Sequence, residues 1–244
     1  ALRIGGRRGA DRAFLDSYQG HGALARRSGT LVGWATITHG GIMLDRTGHR
    51  FGDETTGYSE YAAALAGRPQ QSGWLVFDRR VHDACLPFTD FRQTVDSGAL
   101  LWAQDEEELA ALTGLPADAV HDELARAAAV ARGEQADRFG RAAFEAPLRP
   151  PFAAVEVVPA LFHTQGGLVV DEHARVQRRG EPIPGLYASG GAAAGISGHG
   201  AAGYLAGNGL LPALGLAYLA ADHAAAHTGR IAAGAAADHE DESA

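Results

Sequence analysis

The residues best equipped for chemistry in this chain are a few tyrosines and histidines set close to glycines. Tyr58 and Tyr204 each carry a phenol, whose ordinary pKa near 10 must be helped before it serves as an acid or base at neutral pH. Tyr58 reads either as such a group or as a half-buried aromatic at a helix start. Tyr204, in a glycine-rich loop, either touches a ligand or closes a sheet. His163, just before Gly166-Gly167, is either ligand-facing or a hydrogen-bonded structural residue, and His21 in Gly20-His21-Gly22 is open in the same way. The run Arg50-Phe51-Gly52-Asp53-Glu54 serves either as an anchor or as a ligand contact. Gly198-His199-Gly200-Ala201-Ala202-Gly203 has the letters of the dinucleotide fingerprint. That fingerprint needs a strand running into its first glycine and a βαβ unit after it. Here a loop precedes it and no second strand follows, so the match is expected to be coincidental and His199 a loop residue.

Composition narrows the classes. The chain has 244 residues and a formal net charge of −8, and all 21 of its basic Lys/Arg positions are arginine. Without lysine there is no imine chemistry and no P-loop phosphate site. The acidic balance disfavours a nucleic-acid partner. No apolar run approaches the roughly 18 residues of a membrane span, and a cytoplasmic protein is expected. The single cysteine, Cys85, forms no internal disulfide or thiolate zinc site and is expected to be buried. No metal site is expected. The only methionine is Met43, so a fragment or processed chain is expected.

These side chains need elements to hold them. Thr30–Leu44 reads as strand, turn, strand, Ser59–Ala66 as a helix, and Trp74–Phe77 as a buried strand. Asp105–Leu112 and Pro116–Arg132 read as helices, the first opening on a solvated acidic turn, the second stopped by Gly133. Beyond Pro147-Leu148-Arg149-Pro150-Pro151 come strands at Ala154–Val158, Leu168–Asp171 and Ile183–Tyr187, a glycine-rich loop, and an Ala/Leu helix from about Leu210 to Ala226.

Residues 163–226 resemble the C-terminal part of the flavoprotein family of fumarate reductases, succinate dehydrogenases and 3-ketosteroid dehydrogenases. The motifs that carry this are His163-Thr164-Gln165-Gly166-Gly167, Ile183-Pro184-Gly185-Leu186-Tyr187-Ala188-Ser189-Gly190-Gly191 and Tyr204-Leu205-Ala206-Gly207-Asn208-Gly209. Upstream, Gly40-Gly41-Ile42-Met43-Leu44-Asp45 with Gly48-His49-Arg50-Phe51-Gly52-Asp53-Glu54 is similar to the family's cap signature. The resemblance implies an α/β protein, with an α+β cap domain and the C-terminal part of a Rossmann-like FAD-binding domain. It implies an entry segment over 1–29, the cap over 30–150, the FAD-domain part over 151–230 and a disordered acidic tail over 231–244. The family's N-terminal half is absent, so a companion polypeptide carrying it is expected.

By the same resemblance the cofactor is FAD. Gly166, Gly190, Gly191, Asn208, Gly209, Leu210 and Leu211 would contact it, the helix start at Asn208–Leu211 lying against the pyrimidine edge. The arginines that clamp a dicarboxylate in the fumarate-reducing members fall on Ile37, Tyr58 and Tyr204, and an accompanying acid on Trp34. Tyrosines at two of these positions resemble the ketosteroid branch and imply an apolar carbonyl substrate. In that case Tyr58, Tyr204 and His163 would be catalytic. Tyr58 would move the proton, helped by Arg50, and Tyr204 would donate to the ketone with a backbone N–H near Asn208. His21, Trp34, Arg50 and Asn208 would bind substrate. Two other readings stay open: reduction of an unsaturated acid, and a non-catalytic truncated or binding subunit.

Overall fold

The computed structural model describes residues 1–142 and 144–241, with side chains described as far as 227. In chain order it contains α1 (Leu2–Arg7), β1 (Arg12–Ala13), β2 (Tyr18–Ala25), α2 (Ala35–Thr38), β3 (Ile42–Asp45) and α3 (Tyr58–Ala66). Next come β4 (Gly73–Asp78), α4 (Arg79–Cys85), α5 (Thr89–Asp96), β5 (Leu101–Ala103), α6 (Glu106–Thr113) and α7 (Ala117–Ala131). The last elements are β6 (Phe152–Thr164), β7 (Gly167–Leu168), β8 (Arg175–Arg178), β9 (Glu181–Tyr187) and α8 (Leu210–Asp241). The fold is α/β, mixing helices with antiparallel strand pairs.

The chain divides into two compact units, Gly20–Phe162 and Ala1–Gln19 with His163–Ala244. These boundaries differ from those expected at 29/30 and 150/151, and strand pairing is the reason. The first unit is built on a sheet ordered β2-β6-β4-β3, with β5 also on β6. Residues Phe152–Val157, expected to lie outside the cap, pair with Asp78–Gly73 at its centre.

Alternation of side chains gives this sheet two buried faces. Met43, Leu75, Phe77 and Val155 point to one face, packing with Tyr61 and Leu65 of α3, Val81 and Cys85 of α4 and Phe91 of α5. Ile42, Leu44, Trp74 and Val76 point to the other, against Leu109 of α6 and Val120 and Leu124 of α7. Asp105 caps α6 by accepting the Glu108 N–H at 2.8 Å, as its acidic start anticipates. The expected first strand of Thr30–Leu44 gives way to α2. Its β-branched residues turn back on the chain, Thr36 Oγ1 donating to Gly33 O and Thr38 Oγ1 to Ala35 O. Cys85 is buried, and burial pushes its thiol up to about 11.

Several buried charges of this unit form one cluster. Glu54 is fully enclosed and accepts Arg50 Nε at 2.8 Å and Nη2 at 2.7 Å, Arg141 Nη1 at 3.1 Å and the Met43 N–H at 3.2 Å. Arg141 also donates to Gly41 O and Ile37 O, and Arg50 to Asp137. Burial works against the Arg50 charge, but Glu54 and Asp137 outweigh it and raise its pKa. Burial also opposes the Asp137 charge, and Arg50 outweighs it, so that carboxyl titrates below its usual range.

In the second unit, β1 pairs with β7 and β8 with β9. A small core joins Ala10, Leu168, Val176, Ala188 and Ala193. α8 continues to Asp241 through an alanine-rich stretch, alanine having the highest helix propensity; a disordered tail was the expectation from 231 onward. Residues 242–244 of that expected tail lie outside the described residues. None of the described helices is long and apolar enough to cross a membrane.

Removing one partner of a buried ion cluster leaves the others unpaired, at a cost of about 3–5 kcal/mol. Glu54→Gln should lower the stability of this chain by that amount in urea unfolding. A loss below about 1 kcal/mol would show that the cluster is not held as described.

Candidate functional site

Three side chains expected at the substrate meet in the first unit. Gly20 donates its N–H to Ser59 Oγ at 3.0 Å, tying β2 to the start of α3. At Gly22 a Cβ would stand 3.3 Å from the Ala62 amide nitrogen and 3.4 Å from the Trp34 ring, so glycine lets helix and strand approach. His21, between these glycines, therefore reaches Tyr58. Their rings are stacked 5.2 Å apart at 16°. Phe162 stacks on the same imidazole at 5.2 Å and 17°, and Trp34 meets it edge-on at 5.6 Å. Burial pushes His21 down to about 4, and its Nδ1 accepts the Ala23 N–H at 3.1 Å. The imidazole is therefore neutral at physiological pH. Phe162 is 44% exposed and its neighbour Leu161 63% exposed.

Phe162 escaped the sequence reading, which stopped at its neighbour His163; the apolar pair Leu161-Phe162 was the available signal. Arg50 is corrected. Its side chain is enclosed by Glu54 and Asp137 rather than offered to a substrate, and the anchoring reading of its run is the one observed. The help expected for Tyr58 from Arg50 is thereby withdrawn.

The second unit gathers most of the residues expected at the cofactor. His163, Gln165, Gly190, Gly191, Asn208 and Gly209 line a cavity of about 30 Å³. Gln165 Nε2 lies 3.2 Å from His163 Nδ1, and the His163 ring meets Tyr204 edge-on at 6.2 Å. A Cβ on Gly191 would meet nothing within 4 Å and one on Gly209 only the His163 ring, whereas at Gly190 it would stand 3.3 Å from Ala213 and at Gly195 2.8 Å from Gln165 Oε1. Asn208 is buried, and its Nδ2 has no acceptor among the described residues.

Two expectations need adjustment here. Gly166 does not line the cavity. A Cβ there would lie 2.8 Å from Leu15 Cα and 2.9 Å from Phe14 O, so it serves close packing of two backbone segments. The Asn208 N–H is donated to Leu205 O and the Leu211 N–H to Gly207 O, so neither amide is available to a ligand. Gly209 and Leu210 remain as the amides of that turn not held by a backbone carbonyl among the described residues. The Gly198–Gly203 stretch closes on itself, Gly198 donating to Gly203 O at 2.7 Å, and no strand enters it. His199 bonds Asp16 from an exposed position.

The cavity thus presents a buried amide donor, Asn208 Nδ2, that has no acceptor among the described residues. The chain belongs to the family described as FAD binding domain, whose model matches residues 7–210; FAD is the cofactor of that family. It is similar to a probable fumarate reductase of Shewanella frigidimarina, 29% identical over 90% of this chain and 37% of the relative. It is also similar to a 3-oxosteroid 1-dehydrogenase of Mycobacterium tuberculosis, 32% identical over 78% of this chain and 39% of the relative. Among solved structures, the open conformation of a flavocytochrome c3 fumarate reductase matches with a TM-score of 0.70 at 25% identity, over 93% of this chain and 39% of that one. The chain thus spans under two fifths of the length of these proteins.

His21 gives a pH signature. Between about pH 4 and 6.5 the unfolded chain holds more protons on this residue than the folded one, so its contribution to stability rises with pH across that window. It is complete above about 6.5 and lost as pH falls through about 4. His21→Phe, which keeps a stacking ring, should flatten this part of the urea-midpoint profile. An unchanged slope would mean that His21 is not held neutral.

Proposed function

We propose that this chain supplies the substrate-binding cap and the C-terminal flavin-binding part of an FAD-dependent oxidoreductase. Its reaction forms or reduces a carbon–carbon double bond next to the carbonyl of an apolar substrate. The observation that carries this reading is the aromatic group His21, Trp34, Tyr58 and Phe162, whose imidazole is neutral. Such a surface suits a flat apolar molecule and offers no cation to a carboxylate.

When bound, FAD supplies the hydride acceptor of the dehydrogenation, or the donor of the reverse reduction. Tyr58 takes the proton from the carbon next to the carbonyl, or returns it in reverse. It is the first residue of α3, where the helix dipole favours the phenolate that accepts this proton and that is left when the proton is returned in reverse. Tyr204 donates to the carbonyl oxygen, which makes the neighbouring C–H acidic. His163, oriented by Gln165, faces the cofactor lining.

Reduction of an unsaturated acid is the second reading, favoured by the 29% identity to the probable fumarate reductase. It needs permanently charged partners for each carboxylate. Arg50 and Arg141 are already engaged by Glu54 and Asp137.

A companion polypeptide would complete the flavin site. Leu210, Leu214 and Tyr218, spaced by one helical turn on α8, are 72–77% exposed, which supports a further partner on that face.

In the flavin-loaded protein isolated from its own cells, Tyr58→Phe should lower turnover of a steroid-like enone or its saturated form by about 10²–10⁴. Near-normal turnover would remove Tyr58 from the role. The unaltered protein should act on such a carbonyl compound and not on fumarate or succinate; the reverse pattern would favour the second reading. For the companion, the yellow colour should appear only when a second polypeptide copurifies, and tight flavin on this chain alone would refute it.

A further inference from the structure

Asn208 is held in one orientation by its surroundings. Its Oδ1 accepts the Ile196 N–H at 2.9 Å. A backbone N–H can only donate, so the atom facing it is the amide oxygen, and the NH₂ end must point elsewhere. That end is a buried donor with no acceptor among the described residues, on a residue 4% exposed. Gly195 backs the amide: a Cβ there would lie 2.9 Å from Nδ2 and 2.8 Å from Gln165 Oε1. The amide cannot swing toward that side without displacing its neighbours. Beside it is the cavity of about 30 Å³, room for a water molecule or one ligand atom, lined also by Gly190, Gly191 and Gly209. The chemistry offered here is donation, so the atom that completes it is an acceptor.

We propose that Asn208 Nδ2–H donates to a carbonyl oxygen of the bound flavin ring and raises the cofactor's midpoint potential. This rests on the FAD reading above. Reduction adds electrons to the ring, and an oxygen bearing negative charge accepts a hydrogen bond about twice as strong as a neutral one. The amide therefore holds the reduced form more tightly than the oxidised form, and Ile196 and Gly195 fix the direction of the bond. Asn208 is a potential-setting residue rather than a proton carrier.

Asn208→Asp keeps the acceptor for Ile196 and removes the donor. In the flavin-loaded protein from its own cells, it should lower the ratio of reduced to oxidised flavin affinity at least about tenfold. For a two-electron couple that is a potential lower by about 30 mV or more. In the unaltered protein, the isotope-labelled Asn208 side-chain amide protons should move downfield when the flavin is reduced, a measurement that needs no variant. Bound flavin with an unchanged potential in Asn208→Asp would overturn the proposal and leave the FAD reading standing. So would amide signals indifferent to reduction, since a water in the cavity would then satisfy Asn208. Absence of flavin from the unaltered protein, companion included, would overturn both.

Discussion

A carboxylate removed from water must find partners nearby, and Glu54 is the point from which the first unit is organised. Its oxygens take Arg50 in a two-pronged contact, Arg141 from a distant segment and the Met43 amide at the start of β3. Arg141 in turn reaches the carbonyls of Ile37 and Gly41. The end of α2, the start of β3, the loop before α3 and the segment around 137–141 are thus drawn to one charge. Tyr58 follows Glu54 by one turn of chain, so the same clamp sets where α3 begins. It also absorbs the arginines of this region, which leaves the aromatic group around His21 without a neighbouring cation among the pairs described.

The second unit packs backbone closely around a small cavity. Gly166 lets two backbone segments approach and Gly195 makes room for the Gln165 and Asn208 amides, while a Cβ on Gly191 would meet nothing within 4 Å. Gln165 orients His163, and Ile196 orients Asn208. This is how a mobile-looking glycine sequence yields fixed donor directions.

Much of the candidate site could be read from residue order. Tyr58 begins α3, and His163, Gly190 and Gly191 line one cavity; each is a local feature with a local signal in the sequence. What misled was equally local. The Gly198–Gly203 letters match a fingerprint whose strand and helix are missing, and β-branched Thr36, Ile37 and Thr38 favour a strand until the hydroxyls of the two threonines bond back to the chain. Arg50 looked available because it lies near Tyr58 in sequence, while its partner Asp137 lies 87 residues away.

The sequence by itself determined the local features: the absence of lysine, the helix caps, the strand alternation, and motifs that resemble a flavoprotein family. Each of these is carried by residues close together along the chain. Only the tertiary structure decided which charges are spent on holding the fold and which amides remain to meet a ligand. Both depend on burial and on partners far along the chain. An exposed arginine and a buried one, or a satisfied asparagine and an orphaned one, are written with the same letter.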